Sequence, residues 1–435
     1  MPSLVCQPPF ASKSFLFALD QLVTRALAEK TFSGASLLVA KPHSILFHQT
    51  WGRTSRRGRL IDSHTLFDLA SLTKPLVTAT LCMRAIAEGK FTLNTTLLRC
   101  FPRPLMGAEK AAITVRHLLN HSSGLPAYRP FFPGLIVKEP ASRKSTLNLM
   151  IARTPLESPP GTVSCYSDLG FMLLPIFLEN AYEKPLGELA TQFLFDPLHL
   201  DLGKSSSGRR SRSTARNHQE LSPLATLGFR PLRVPPEPTL SPRKGPAAGR
   251  VFAATEVCPW RQRLLIGEVH DEHAYCLGGV APHAGLFGTA HGVYRLLMFL
   301  WDIYSGRVVD PSWPSEIVRE FWTRPDGGVP ASTWLLGFDS PSPQHSSAGD
   351  YFSPHSIGHL GFTGTSFWFD LDRQILVILL TNRVHPTRDN ERLKHFRPLL
   401  HNLVMETFHG RKKCQHHLHD GDRRDCHGHT RFDAQ

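Results

Sequence analysis

A serine and a lysine three residues apart, Ser71 and Lys74, have the residue types and spacing best suited to covalent chemistry in this chain. They open an apolar run, 72–87, that is long enough for a buried helix. Residues three apart on a helix share a face, and Pro75 is tolerated only in a first turn, so we expect the helix to begin near Ser71. Burial and the helix N-terminus both disfavour positive charge, which predicts that Lys74 loses its proton readily and acts as base for the Ser71 hydroxyl.

The spacing alone is a weak signal, because a chain of this composition contains about one Ser-x-x-Lys by chance. A second copy, formed by Ser241 and Lys244, lies in a stretch rich in Pro and Arg without helical periodicity. We interpret that copy as chance, so the sequence around each copy has to decide which one matters.

The composition favours a folded, intracellular protein. The chain has 435 residues, of which 41% are hydrophobic and 20% charged, enough to bury a core. No stretch approaches 18 uninterrupted apolar residues, so we expect no membrane span. The eight cysteines are scattered without a C-x-x-C pair, which is typical of reduced thiols and predicts a cytoplasmic location.

The formal net charge of +13 is concentrated in residues 204–250, which hold ten Lys or Arg against two Glu. We interpret this segment as a basic, disordered insertion, since it lacks the interleaved aromatic residues that stack on bases. Weak association with nucleic acid through the insertion is the alternative. The His-rich tail, 410–435, is also predicted to be disordered, and its spacing does not match a dedicated zinc site.

Strand patterns lie at both ends of the chain and helix patterns fill its middle. Strands are predicted in two hairpins, 34–39 with 44–51 and 366–370 with 375–381. Helices are predicted over 14–30, 71–87, 114–120, 147–153, 166–180, 292–303 and 388–408.

This order predicts an α/β (α+β) fold, in which an antiparallel sheet of N- and C-terminal hairpins is flanked by helices and joined to a mostly helical subdomain. We expect a single domain over 1–409. Its α/β part would comprise 10–70 and 285–409, and its helical part 71–284, including the insertion.

Three motifs occur in a recognisable order: Ser71-Leu72-Thr73-Lys74, Tyr166-Ser167-Asp168 and His359-Leu360-Gly361. Together they resemble the penicillin-recognising serine hydrolases, which include class C β-lactamases, DD-peptidases, D-aminopeptidases and β-lactamase-like esterases. The motifs of that superfamily are Ser-x-x-Lys, Tyr-x-Asn or Ser-x-Asn, and Lys-Thr-Gly or His-x-Gly. The resemblance covers about 10–203 and 251–408 and implies a β-lactamase/transpeptidase-like fold.

The resemblance also implies roles for individual residues. Ser71 would attack a carbonyl and form an acyl-enzyme, while Lys74 and Tyr166 would share the work of general base; which of the two takes the proton is left open. The oxyanion would lie between the backbone N–H groups of Ser71 and Phe362, and Gly361 would let the strand approach the substrate. No metal or organic cofactor is implied.

Two residues depart from the superfamily pattern: Asp168 replaces the usual Asn, and His359 the usual Lys. A neutral histidine and a carboxylate make the pocket less attractive to anions, so we expect a neutral ester or a substrate with an amine to fit better. The alternative is that Asp168 pairs with Lys74 or caps its helix and leaves specificity untouched.

Two further residues, His270 and Asp271, lie in a polar stretch that is expected to border the pocket and contact substrate. The alternatives are a structural loop anchored by hydrogen bonds and metal ligation, although the H-E-x-x-H pattern is absent. His117 and His121 are interpreted as structural histidines.

The sequence therefore predicts a serine hydrolase acting on an ester, a small amide or a peptide, including peptides derived from peptidoglycan. The alternatives are a true class C β-lactamase or DD-peptidase, and a non-enzymatic scaffold or binding protein with the same fold. The expected partner is a small-molecule substrate, and the sequence specifies neither its identity nor the oligomeric state.

Overall fold

The computed structural model of the chain describes residues 12–101, 106–201, 230–231, 250–324 and 328–409. Most of the predicted insertion 204–250, the second Ser-x-x-Lys at 241–244 and the tail 410–435 lie outside these ranges. The proposed domain boundaries and the disorder of those segments therefore stay predictions.

Strands in the described residues are numbered in chain order: β1 (Gly34–Lys41), β2 (Ser44–Gly52), β3 (Phe67–Asp68), β4 (Arg230–Pro231), β5 (Val257–Cys258), β6 (Arg263–Leu264), β7 (Leu286–Gly288), β8 (Ile357–Leu360), β9 (Ser366–Asp370) and β10 (Ile375–Thr381).

Helices are numbered likewise: α1 (Lys13–Ala28), α2 (Thr80–Ala87), α3 (Val115–Leu119), α4 (Phe132–Ile136), α5 (Pro140–Arg153), α6 (Asp168–Tyr182), α7 (Leu186–Ala190), α8 (Asp196–Asp201), α9 (Glu272–Cys276), α10 (Ala290–Tyr304), α11 (Ser315–Trp322) and α12 (Leu393–His409). None of the helices in these described residues is long and apolar enough to cross a membrane.

The main sheet is antiparallel, with strand order β2-β1-β10-β9-β8. The two predicted hairpins are confirmed, and they join through the β1–β10 pair, in which Val39 lies opposite Val377. Strand β8 adds an outer edge beside β9 and places His359 opposite Phe367. The predicted mixture of helices and an antiparallel sheet is thus confirmed.

Helices cover both faces of this sheet, which explains why β10 is an unbroken apolar run. Its residues Ile375, Val377 and Leu379 pack with α1 and α12 in one core cluster. The alternating residues Leu376 and Ile378 pack in a second cluster with α10 and the helical part of the chain. Because side chains alternate along a strand, both faces are buried and neither needs polar residues.

The predicted helix over 71–87 is interrupted. A 3₁₀ turn, Ala70–Leu72, and a π-helical turn, Lys74–Ala79, precede α2. Pro75 has no amide to donate, and the Thr80 hydroxyl donates to its carbonyl at 2.8 Å. The tight 3₁₀ turn contains Ser71 and the wide π-helical turn begins at Lys74, so the irregular part of the helix holds the two residues predicted to do chemistry.

The closing helix also differs from its prediction, since it begins at Leu393 and not near residue 388. The side-chain amide of Asn390 donates to the carbonyls of Lys30, Thr31 and Arg383. These bonds hold the preceding residues as a loop against the end of α1.

A single buried side chain, Asn382, ties the end of β10 to three other segments. Its oxygen accepts from the amides of Ser33 and Gly34 at 3.2 and 2.9 Å. Its nitrogen donates to the Ser33 hydroxyl and to the carbonyls of Thr54 and Ala254 at 2.8 to 3.1 Å. Asn382 therefore fixes the end of the main sheet to the loops at residues 33–34, 54 and 254.

Replacing Asn382 by alanine should lower the free energy of unfolding by about 3 kcal/mol, because several buried backbone groups lose their partner. Urea unfolding followed by tryptophan fluorescence measures this change. The exposed Asn180→Ala variant is the control and should stay within about 0.5 kcal/mol of the wild type. A loss as small as that of the control would contradict the anchoring role.

Candidate active site

The predicted nucleophile and base lie together at the broken start of the central helix. The Lys74 ammonium donates to Ser71 Oγ at 2.8 Å and to the His283 carbonyl at 3.2 Å. Its Nζ is 2.6 Å from Asp168 Oδ1, and the Lys74 side chain is fully buried. The three polar partners satisfy a cation that has no access to water.

The charge state of Lys74 differs from the sequence-based expectation. Burial does lower its pKa, but the negative charge and hydrogen bond of Asp168, together with Tyr166, outweigh it and raise the pKa above its usual value. The expectation that Lys74 is easily deprotonated is therefore wrong. The Asp168 carboxylate lies within 2.6 Å of its ammonium, and the sequence pattern does not reveal that contact. The alternative interpretation of Asp168, a pair with Lys74, matches this contact.

Tyr166 completes the group around the nucleophile. The Lys74 ammonium lies 4.9 Å from the centre of the Tyr166 ring. Burial raises the pKa of the Tyr166 hydroxyl. The charge of Lys74 and hydrogen bonds with Lys74 and Ser71 lower it, but burial has the larger effect. The hydroxyl therefore stays protonated while it is in contact with both catalytic candidates.

The turn that presents Ser71 is held in an uncommon backbone conformation. Ala70 has a φ of +47°, in the left-handed region that non-glycine residues seldom adopt. The buried Asp68 carboxylate accepts from the amides of Ala70 and His270 at 2.9 and 2.7 Å. This clamp offsets the backbone strain and fixes where the Ser71 side chain points.

The edge strand β8 continues into a turn that packs directly on the nucleophile. Thr363 and Thr365 donate through their hydroxyls to the carbonyls of Asp68 and Leu69 at 2.6 and 3.0 Å. A Cβ on Gly361 would lie 2.0 Å from Thr365 Oγ1. Glycine is therefore needed for contact within the protein itself, whereas the sequence-based reason was approach to a substrate.

Phe362, the predicted second oxyanion donor, is held by two residues, Arg383 and His270. The Arg383 guanidinium donates to its carbonyl at 2.8 Å and lies 4.6 Å from its ring centre. The imidazole of His270 stacks on the same ring at 5.6 Å. Its backbone N–H makes no hydrogen bond to the described residues, so it is free to bind a substrate oxygen.

His359 is buried and neutral. Its Nδ1 bonds the Leu360 carbonyl at 2.8 Å, and Nε2 has no partner among the described residues. Burial, and then the charge of Lys74, lower the pKa of His359 to about 3. The expectation of a mostly neutral histidine at this position agrees with that environment.

His270 and Asp271 lie in a hydrogen-bonded network that also borders the site. His270 Nε2 is 3.0 Å from Glu256, and Arg388 bridges Glu256 to Glu272. Asp271 accepts from His283 at 2.9 Å and caps α9. Burial raises the pKa of Asp271, but His283 and other partners outweigh it and hold it well below its usual range.

These contacts give both residues an anchoring role, and both also line the site cavity. In the described ranges, no group of three or more His, Cys, Asp or Glu residues is arranged to hold a metal ion.

The histidines interpreted as structural have structural partners. His117 forms a capping box with Thr114 at the start of α3. His121 accepts from the Ser167 amide at 3.0 Å and packs against Tyr166 and Trp334.

Most of the predicted site residues open onto one cavity of about 610 Å³. It brings together the predicted residues Ser71, Tyr166, Asp168, His270, Asp271, His359, Gly361 and Phe362. Buried Lys74 lies beneath this surface. The cavity is large enough for a ligand of several dozen atoms.

Several lining residues escaped the sequence reasoning: Tyr128, His283, Trp334, Asp339, Arg383, Arg388 and Arg397. They lie on loops and on the first turns of α12, and no short motif marks them. The one sequence feature that could have indicated some of them is the high proportion of polar and charged residues in 383–397, after β10.

Chemically, the site offers a hydroxyl beside an amine and a phenol, with a free backbone N–H of Phe362 in the turn that follows the edge strand β8. This combination suits nucleophilic attack on a carbonyl.

A family model described as Beta-lactamase matches residues 19–401 of this chain. The N-acetylmuramyl-L-alanine amidase of Bacillus subtilis (strain 168) is 30% identical over 402 residues, which cover 88% of this chain and 84% of that protein. A Salmonella agona protein named as a D-alanyl-D-alanine carboxypeptidase is 28% identical over 372 residues, or 81% of this chain and 79% of its own.

Among solved structures, a penicillin-binding protein homologue from Caulobacter crescentus matches with a TM-score of 0.61 at 16% identity, covering 93% of this chain and 100% of that one. This likeness confirms the predicted fold.

Replacing Asp168 by asparagine removes the negative charge that keeps the pKa of Lys74 raised, and that also raises the pKa of Tyr166. Either group then becomes competent as a base at lower pH. The midpoint of the rise with pH in the rate of Ser71 labelling by a fluorophosphonate should therefore move to lower pH.

The control is Asp302→Asn, which removes a remote carboxylate that pairs with His43. Its midpoint should match the wild type. A midpoint for Asp168→Asn that stays in place, or moves to higher pH, would contradict the assignment.

Proposed function

Because this chain belongs to the Beta-lactamase family, we propose that it is a serine hydrolase that forms an acyl-enzyme through Ser71 and cleaves a small amide or peptide, or an ester. The observation that carries the proposal is the 2.8 Å contact between Lys74 Nζ and Ser71 Oγ at a cavity that also receives Tyr166 and the Phe362 turn. A nucleophile, a base and an oxyanion donor are the three parts that acyl transfer requires.

In the proposed first step, Ser71 Oγ attacks the carbonyl carbon of the substrate and its proton moves to Lys74 or Tyr166. Whichever group takes the proton must first have lost its own to solvent, and for Lys74 the Asp168 carboxylate at 2.6 Å disfavours that loss. The negative charge that develops on the carbonyl oxygen is bound by the N–H groups of Ser71 and Phe362.

The tetrahedral intermediate then collapses and the leaving amine or alcohol takes the proton from Tyr166 or Lys74. This leaves an ester on Ser71. A water molecule, deprotonated by the same groups, hydrolyses that ester and restores the hydroxyl.

An amide or peptide is the preferred substrate class, since the curated relatives are named for amidase and carboxypeptidase activities. A peptide derived from peptidoglycan is the specific form of this proposal. A purely binding or scaffolding role is the alternative. It gives no reason to keep Ser71, Lys74 and Tyr166 in contact, with the lysine fully buried.

A cytoplasmic location remains part of the proposal. The five cysteines in the described residues, Cys82, Cys100, Cys165, Cys258 and Cys276, are all free thiols, which supports a reducing compartment.

Replacing Ser71 by alanine should abolish fluorophosphonate labelling and lower hydrolysis by about 10³-fold or more, because no nucleophile remains. The measurement is a parallel screen of a chromogenic cephalosporin, short-chain p-nitrophenyl esters, a D-alanyl-D-alanine peptide and N-acetylmuramyl-L-alanine.

The matched control is Ser241→Ala, which removes the serine of the second Ser-x-x-Lys and should be labelled like the wild type. The proposal fails if the wild type is never labelled, or if Ser71→Ala is labelled equally.

Replacing Tyr166 by phenylalanine keeps the ring over Lys74 but removes the hydroxyl. The rate of acylation should fall by about 10²- to 10⁴-fold, as expected for the loss of a proton-transfer group. Single-turnover labelling measures that rate, and thermal melting checks that the variant is folded. A folded variant with the wild-type rate would remove Tyr166 from the mechanism.

A further inference from the structure

The carbonyl that accepts from Lys74 lies in the loop 277–285, which joins α9 to β7. This loop meets the helix of the lysine through two consecutive carbonyls. Lys74 Nζ donates to the His283 carbonyl at 3.2 Å, and the Thr78 hydroxyl donates to the Pro282 carbonyl at 2.7 Å. Both acceptors are main-chain groups, so their positions depend on what holds the loop in place.

The side chain of His283 ties this loop to the start of α9. Its Nε2 is 2.9 Å from Asp271 Oδ1, and the imidazole is 1% exposed. Because the pKa of Asp271 is held well below its usual range, its carboxylate can only accept, so His283 Nε2 donates. The same oxygen accepts from the Ala274 amide at 2.7 Å as the N-cap of α9. The loop is therefore bonded to a carboxylate whose own place is fixed.

The other imidazole nitrogen excludes His283 as a proton-transfer group. His283 Nδ1 is buried and has no partner among the described residues. A buried atom is not in contact with water, so it cannot take a proton from water in the cavity. What the imidazole contributes to the site is the position of the carbonyl of its own residue.

We infer that Asp271 and His283 are positioning residues, because the bond between their side chains fixes the carbonyl that holds the Lys74 ammonium beside Ser71. The inference rests on the proposed hydrolase function and deepens it, since it extends the proton-transfer machinery to residues that never exchange the proton. A carbonyl that accepts from an ammonium favours the charged form of the amine. Losing this carbonyl should therefore lower the pKa of Lys74 and loosen its contact with Ser71.

Four other titratable groups interact with the Lys74 ammonium. Burial is the largest single effect on the pKa of Lys74 and lowers it, while Asp168 and Tyr166, next to the start of α6, raise it. His121, after α3, and His359, on β8, have their own pKa values lowered by burial and then by the lysine charge. The variants tested below leave these four side chains unchanged, so an altered pH dependence reports on the carbonyl.

Replacing His283 by leucine removes the Nε2 donor, whereas His283→Gln keeps an N–H donor at a similar reach. The midpoint of the rise with pH in the rate of Ser71 labelling by a fluorophosphonate should move to lower pH by about one unit in His283→Leu, as the loss of one hydrogen bond to the ammonium gives. The plateau rate should fall by about tenfold. His283→Gln should restore most of both. A role limited to folding would lower the amount of labelled protein and leave the midpoint in place.

Asp271→Asn leaves only a weak, neutral acceptor for His283 and should move the midpoint in the same direction. The double variant His283→Leu/Asp271→Asn should show no larger shift than His283→Leu, because both changes break the same bond. A larger shift would mean that Asp271 acts on Lys74 by its charge, and it would overturn the arrangement. The matched control is His401→Leu, which removes a buried histidine that bonds the Ser347 carbonyl and does not line the cavity. Its midpoint should match the wild type.

Unfolding in urea gives a test that needs no turnover. His283→Leu should lower the unfolding midpoint more in the wild-type background than in Lys74→Met, because only the ammonium is left short of an acceptor. The inference is overturned if the labelling midpoint of His283→Leu matches the wild type, or if its loss of stability is equal in the two backgrounds. A wild type that is never labelled rejects the hydrolase, and the urea comparison then still decides whether the pair holds Lys74. Labelling with an unchanged midpoint rejects the positioning role and keeps the hydrolase.

Discussion

The contact between Lys74 and Asp168 is the constraint on which the site depends. A fully buried ammonium without a counter-ion would cost several kcal/mol, so the helix that carries it is stable only where a carboxylate reaches it. Asp168 meets that need from the first turn of α6, and the His283 carbonyl fills a further position. The need to neutralise and hydrogen-bond this one ammonium thereby brings two distant segments, the start of α6 and the loop at His283, next to Ser71.

The rest of the site is shaped by backbone groups that are held by buried polar side chains. Asp68 fixes the left-handed Ala70, and two threonines fasten the edge-strand turn onto the same backbone. The groups proposed to contact a substrate are thus positioned by Asp68, Thr363 and Thr365, which do not line the cavity. Such support is what keeps a nucleophile and an oxyanion donor at a fixed separation.

Residues with strong local patterns were predicted well. The strands 366–370 and 375–381 have the bounds expected from their apolar run, because burial on both faces leaves little choice of residue type. The proximity of Ser71, Tyr166 and His359 followed from motif order.

Features set by tertiary contact were not predictable from local pattern. The raised pKa of Lys74 depends on a carboxylate 94 positions away in the chain, and the apolar run 72–87 does not distinguish the π-helical turn Lys74–Ala79 from a regular α-helix. Arg383 and Arg397 belong to the site only because β10 and α12 fold back beside the edge strand. No periodicity encodes such an arrangement.

The pairing of β1 with β10 has a consequence for how the molecule is made. Val39 leaves the ribosome long before its partner Val377 exists. At 5–20 residues per second the delay is roughly 20 to 70 seconds. During that time the first hairpin has an open apolar edge with no native partner, which is a hazard for misassembly. Contacts this far apart in sequence also slow the search for the native state.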